Sequence, residues 1–188
     1  MVVSFAIATS ITHLSEKYSP ILMRCIPATL MLSHDIRRDR CLLFICKENN
    51  VIVRIEGSRV KRIFTDEASL LGVYRKIRLA LEKKIRKKVI HPGIKVYYTN
   101  IASFLSKTFT SIIFPDTKGK DIPELSSVEN ALYVLSLDRK TLTDFLADID
   151  IEKIPLVFPK SIYNLSPDKI IAIVNICLDR ITGRLSPY

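Results

Sequence analysis

Arg37 and Arg38 stand side by side three residues after His34, in the run Leu32-Ser33-His34-Asp35-Ile36-Arg37-Arg38-Asp39. A hydrophobic helical pattern stops at this run, and an apolar strand, Cys41 to Cys46, starts directly after it. Polar and cationic side chains at a helix-to-strand junction can converge on a cleft. A guanidinium presents a planar fork that suits phosphate or a base edge, so the chemistry of this run is anion binding. Each of these residues also has a plainer role. A lone histidine such as His34 is usually a cap or a core residue. Arg38 has Asp35 and Asp39 at hand for a surface ion pair worth little.

Motifs that carry catalysis on their own are missing. The chain has no P-loop, GxGxxG, nucleophile elbow or HExxH. His13, His34 and His91 are scattered, and Cys25, Cys41, Cys46 and Cys177 show no CxxC spacing, so no metal is expected. Cytosolic thiols are the expected state of these cysteines.

The elements that must position the junction follow from periodicity. Val2 to Thr9 reads as a first strand, and Thr12 to Ser19 as a loop. Pro20 opens a helix whose apolar residues continue to Ile36, with a kink or late start at Pro27. After the strand at Cys41 to Cys46, Val51 to Ile55 alternates as a half-buried strand, and Val60 to Phe64 forms another. Thr65 caps a long helix with Asp66 and Glu67 in its first turn. Leu70, Tyr74, Ile77, Leu81 and Ile85 make one apolar stripe on it.

Arg75, Lys76, Arg78, Lys83, Lys84, Arg86, Lys87 and Lys88 fill most other positions of that helix's second half. They form either a solvated outer face or a ridge that tracks phosphates.

Strands follow at Ile94 to Tyr98, Ser111 to Phe114, Ala131 to Leu135 and Ile154 to Phe158, with helices at Thr99 to Phe109 and Thr141 to Ala147. The last helix is the best punctuated. Ser166 caps it, Pro167 takes its first position, Asp168 favours its dipole, and Gly183 stops it. Its broad apolar face is either core or a dimer surface. Strands alternating with helices give an α/β fold with a largely parallel sheet flanked by helices.

Composition narrows the partners. The chain has 188 residues, 48% of them apolar, enough for a real core. It carries 29 Lys+Arg against 19 Asp+Glu, a net charge of +10, which favours phosphate-bearing partners or an anionic surface. No run approaches the roughly 18–20 apolar residues of a membrane span, so no membrane partner is expected. The start, Met1 to Ile11, lacks the positive flank of a signal peptide.

Three blocks carry a family likeness. They are Met23-Arg24-Cys25 through Leu32 to Asp39; Ile55-Glu56-Gly57-Ser58 with Thr65-Asp66-Glu67 ahead of the basic helix; and Ala172-Ile173-Val174-Asn175 with Leu178-Asp179-Arg180. In this order the chain resembles the archaeal SPOUT-class tRNA pseudouridine-54 N1-methyltransferases. The resemblance implies a single SPOUT-like domain over residues 1–188, with a C-terminal trefoil knot, a cytoplasmic homodimer, and S-adenosyl-L-methionine as methyl donor. It implies a tRNA substrate met by Arg24, His34, Arg37, Arg38, Arg75, Lys76, Arg78, Lys83 and Lys84. The donor pocket is implied at Leu135, Ser136, Leu156, Val157, Phe158 and Ile170.

The donor loops depart from the family pattern. Leu135-Ser136-Leu137-Asp138 replaces Leu-Gly-Asp-His, and Phe158 lies where a glycine is expected. Ile170 stands near an expected cysteine, and Asn175 at an expected histidine. Two functions are therefore compatible with the chain. One is a divergent methyltransferase of tRNA pseudouridine; the other is a non-catalytic RNA-binding homodimer with a degenerate cofactor pocket.

Overall fold

The apolar strand β1 (Val3–Ala8) lies in the middle of an eight-stranded sheet. The computed structural model describes residues 2–16, 19–32, 35–84, 88–122, 130–147, 149–157 and 165–183. β1 is flanked in parallel by β2 (Arg40–Cys46) and β7 (Ala131–Ser136), with Phe5 opposite Leu42 on one side and Tyr133 on the other. Beyond β7 come β6 (Ser111–Asp116) and then β8 (Glu152–Val157), both parallel. On the other side β3 (Val51–Glu56), β5 (Ile94–Tyr98) and β4 (Lys88–His91) add antiparallel pairs, so the order is β4-β5-β3-β2-β1-β7-β6-β8. The fold is α/β with a mostly parallel sheet, as the sequence pattern predicts.

The sheet is covered on both faces because successive strand residues point opposite ways. Phe5 and Ile7 join Leu42, Phe44 and Val53 under α1 (Ile11–Ser15), α2 (Pro20–Leu30), α3 (Glu67–Glu82) and α6 (Pro167–Ile181). Ala6 and Ala8 join Leu43, Ile45 and Leu132 under α4 (Ile101–Thr108) and α5 (Arg139–Ala147). The chain leaves β1 toward β2 on one side and returns as β7 on the other. That change of direction opens a crevice at the strands' carboxyl ends, the usual place for a ligand in such sheets.

Several elements differ from expectation. Residues 60–64 form no strand. Val60 donates its N–H to the Glu56 carbonyl in a turn, and Arg62 has φ of 55°, which an extended strand does not allow. Val60 and Ile63 are nevertheless buried, which explains the strand-like pattern. Asp66, not Thr65, caps α3, accepting from the Ser69 N–H at 2.8 Å. α3 ends at Glu82 rather than Lys88, because Lys84 adopts φ of 44° and residues 88–91 pair with β5. α2 begins at Pro20 and stops at Leu30, after which Met31 bridges to Ile36. The short helix α1 lies in the segment read as a loop, its cap the Ser10 hydroxyl.

The cysteines are free thiols. Cys25, Cys41 and Cys46 are buried in α2 and β2, and Cys177 on α6 is half-buried. Burial raises all three core thiols, Cys46 to about 12. Among the described residues, no helix is long and apolar enough to cross a membrane.

Candidate functional site

The helix-to-strand junction around Arg37 is built on a buried ion network. Arg37 is 8% exposed, and its Nε and Nη2 donate to Asp179 Oδ2 at 3.1 and 2.6 Å, while Nη1 donates to the Met31 carbonyl. Arg40, at the start of β2, shares the same carboxylate through Asp179 Oδ1 at 3.1 Å, and binds Asp39 at 2.5 Å. Its Nε donates to Asn175 Oδ1 at 2.8 Å, and the Asn175 amide donates in turn to the carbonyls of Ala28 and Thr29. Two guanidiniums on one buried carboxylate, with Asp39 beside them, balance their charges. The network ties α6 to the end of α2 and the start of β2. Arg37 therefore finds a buried partner on α6, not a surface pair with Asp35 or Asp39.

Other expected RNA contacts lie outside this network. Arg24 is exposed on α2, with Nε 2.9 Å from Asp168 Oδ2 at the start of α6. Burial works against the Asp168 charge. Hydrogen bonds from Ser166 and Arg24 outweigh it and hold the carboxyl below the usual range. Arg38 is exposed, with its Nη1 3.4 Å from the Gly57 carbonyl. Arg75, Lys76, Arg78, Lys83 and Lys84 all face outward on or just after α3, where Arg78 pairs with Glu82 at 3.1 Å. His34 lies outside the described residues.

At the carboxyl ends of β7 and β6 there is a cleft of about 290 Å³. Leu135 and Ser136 close β7 into it, Ile170 enters from the first turns of α6, and Pro115, Leu165 and the stretch Leu137 to Arg139 with Leu142 complete the walls. Three of the six expected donor-pocket residues thus meet at one cleft. Leu156 is 2% exposed within β8 and does not line it, Val157 ends that strand, and Phe158 lies outside the described residues. The Ser136 hydroxyl donates to the Asp138 carbonyl, folding the turn that follows β7.

A larger cavity, of about 400 Å³, adjoins this cleft at the carboxyl ends of β1 and β2. Leu137 and Asp138 line both. His13 and Thr9 line it together, their Nδ1 and Oγ1 3.3 Å apart, as does Lys47, with Nζ donating to the Asp144 carbonyl at 2.9 Å. Asp138 receives the Thr141 N–H at Oδ1 (2.8 Å) and the Thr141 hydroxyl at Oδ2 (2.7 Å). Those two bonds lead the causes that hold its carboxyl below the usual range, and the His13 ring contributes in the same direction. Sequence reasoning missed this cavity. Its one signal was a Thr-Ser-x-x-His run directly after the first strand. Among the described residues, no group of three or more His, Cys, Asp and Glu is placed to hold a metal ion.

Comparison with known proteins agrees with this architecture. The chain is 29% identical to the tRNA (pseudouridine(54)-N(1))-methyltransferase of Haloferax volcanii over 137 residues, 69% of this chain and 66% of that protein. It is 32% identical to the Methanococcoides burtonii protein of the same name over 124 residues, 61% and 60% of the two chains. The chain therefore spans somewhat less than two thirds of the length of these relatives. In fold it is similar to Archaeoglobus fulgidus Nep1 bound to S-adenosylhomocysteine, with a TM-score of 0.58, 13% identity, and coverage of 87% of this chain and 70% of that one. A family model described as "Putative SAM-dependent RNA methyltransferase" matches residues 16–182, nearly the whole described fold. The chain belongs to that family of SAM-dependent RNA methyltransferases.

Proposed function

We propose that this chain transfers a methyl group from S-adenosyl-L-methionine to a pseudouridine of tRNA. The observation that carries this reading is the cleft where Leu135, Ser136 and Ile170 meet, at the carboxyl ends of the parallel strands. The residues there fit such a donor. Leu135, Leu142, Leu165 and Ile170 offer apolar walls for a flat purine, and Ser136, Asp138 and Arg139 offer polar groups at the mouth. When bound, the donor supplies a methyl group activated by its positive sulfonium. The chain's own work is to orient the acceptor against it and exclude water.

The relatives' names supply the substrate class, and the net charge of +10 suits it. The exposed cations of α3, with Arg24 and Arg38, form the surface on which tRNA phosphates would lie. Arg37 supports that surface from inside the fold. A second copy of the chain suits the outer face of α6, where Ile176 and Ile181 are 41% and 46% exposed. The reading also carries the C-terminal trefoil knot of this class, and the cytoplasm as the place where tRNA is met.

Calorimetric titration with S-adenosyl-L-methionine, followed by transfer of a labelled methyl to tRNA, tests the reading. Saturable heat and label in tRNA are expected. Absence of heat at millimolar donor overturns the enzyme and leaves the RNA-binding homodimer.

A further inference from the structure

We propose that the larger cavity, at the carboxyl ends of β1 and β2, seats the acceptor base, and that His13 takes the proton from its reacting nitrogen. This rests on the methyltransferase reading above.

Position comes first. The cavity and the donor cleft share Leu137 and Asp138, so the two sites are immediate neighbours. At about 400 Å³ the cavity has room for a single base. Its lining includes the buried apolar residues Ala8, Ile45 and Phe145 and the hydroxyls of Thr9, Ser10 and Thr141. Apolar walls with a few hydroxyls match a flat heterocycle whose edge is polar. A pyrimidine has that shape and chemistry, and a base must leave its stack to reach such a seat.

Chemistry then selects the proton acceptor. The ionisable side chains around the cavity are His13 on α1, Lys47 and Glu48 after β2, Asp138 after β7, and Asp144 on α5. Asp138 is a poor base, because both oxygens already accept from Thr141 and its carboxyl is held ionised. Lys47 is a cation whose Nζ is engaged with the Asp144 carbonyl. Glu48 and Asp144, like His13, are exposed, and a carboxylate is in general a weaker base than an imidazole. An imidazole has the proton affinity suited to neutral pH. When His13 Nδ1–H donates to Thr9 Oγ1, its Nε2 keeps a lone pair.

The step balances. The proton of the pseudouridine N1–H passes to His13 Nε2, and the N1 electron pair forms the bond to the methyl carbon. The methyl–sulfur bond breaks with its electrons on sulfur, leaving S-adenosylhomocysteine. The imidazolium then releases its proton to water.

The test uses the full chain, with pseudouridine 5′-monophosphate added to protein saturated with S-adenosylhomocysteine. Calorimetry follows binding, and NMR follows the His13 imidazole. Binding that shifts the His13 ring signals is expected. With tRNA as substrate, His13→Ala should lower kcat by about 100-fold, with KM changed less than threefold. The limb of the rate profile that rises with pH should disappear, and donor affinity should stay unchanged. A purely structural role would move KM and the melting temperature instead, and that result overturns the assignment. So does a variant that transfers methyl as fast as wild type. If wild type transfers no methyl, the methyltransferase reading fails by itself. The seat is then judged on the NMR titration alone, and unshifted His13 signals overturn it.

Discussion

Two groups of cations in this chain meet opposite surroundings. Arg37 and Arg40 are buried, and both bind the single carboxylate of Asp179. The cations of α3 and the residues just after it, Arg75, Lys76, Arg78, Lys83 and Lys84, are exposed. The difference is one of desolvation. A buried guanidinium without its partner is costly, whereas an exposed cation is solvated and ready for a phosphate. Arginines adjacent in sequence can fall on opposite sides of that divide. Arg37 points inward to α6, while Arg38 lies exposed against the Gly57 carbonyl.

Removing the shared carboxylate should separate the two groups most sharply. Asp179→Ala takes the carboxylate from buried Arg37 and one of two from Arg40, which keeps Asp39, and should cost about 3–5 kcal/mol in chemical denaturation. A loss below about 1 kcal/mol would place the network among ordinary surface pairs. Next in size is Gly57→Ala. A Cβ there would sit 2.1 Å from the Arg37 carbonyl oxygen and 2.9 Å from that of Arg40, both backbone atoms. The strain should cost about 1–3 kcal/mol, and a melting temperature equal to wild type would show that the Arg37 loop can move aside.

Arg24 tests the boundary between the groups, since its side chain is 51% exposed while that of Asp168 is 10% exposed. Arg24→Ala should cost about 0–1 kcal/mol. The pH response has a definite sign. The Asp168 carboxyl is held below its ordinary value of 3.8, so its contribution is present above that value and lost as pH falls through the lower folded one. Acid unfolding curves of wild type and Arg24→Ala should converge at the acid end. Curves that stay parallel would remove Arg24 as a cause.

The smallest effect on stability belongs to the exposed set. Neutralising Arg75, Lys76 and Lys83 to Gln should change stability by less than about 0.5 kcal/mol. Affinity for tRNA should fall, and the log–log salt slope should flatten by about 0.7–0.9 for each phosphate no longer neutralised. An unchanged slope would take the ridge out of the RNA surface.

What is legible in the chain follows the range of the signal. α6 can be read from Ser166, Pro167 and Gly183 because caps and stops act within a few residues, and Gly183 does adopt φ of 72°. The central strands are legible because they are apolar on both faces, as in β2, where every residue is buried. β4 is hidden in a run of lysines whose density suggests a continuing helix, and only its pairing with β5 decides its state. The Arg40–Asn175 contact joins residues 135 apart, and no local pattern announces it. The donor cleft is half legible. Leu135, Ser136 and Ile170 are reached through family likeness, but Leu156 faces the core because strand alternation turns it away from the crevice.

The distribution of thiols has a practical consequence. Three of the four sit in the core with their proton affinity raised, so a maleimide meets little thiolate there, whereas Cys177 is partly open on α6. The native chain thus offers a single addressable labelling position without mutagenesis. A fluorophore or spin label at Cys177 sits one residue from Ile176, on the helix whose outer face we propose for self-association. Its quenching or dipolar broadening would report a second copy directly, in distance rather than in mass.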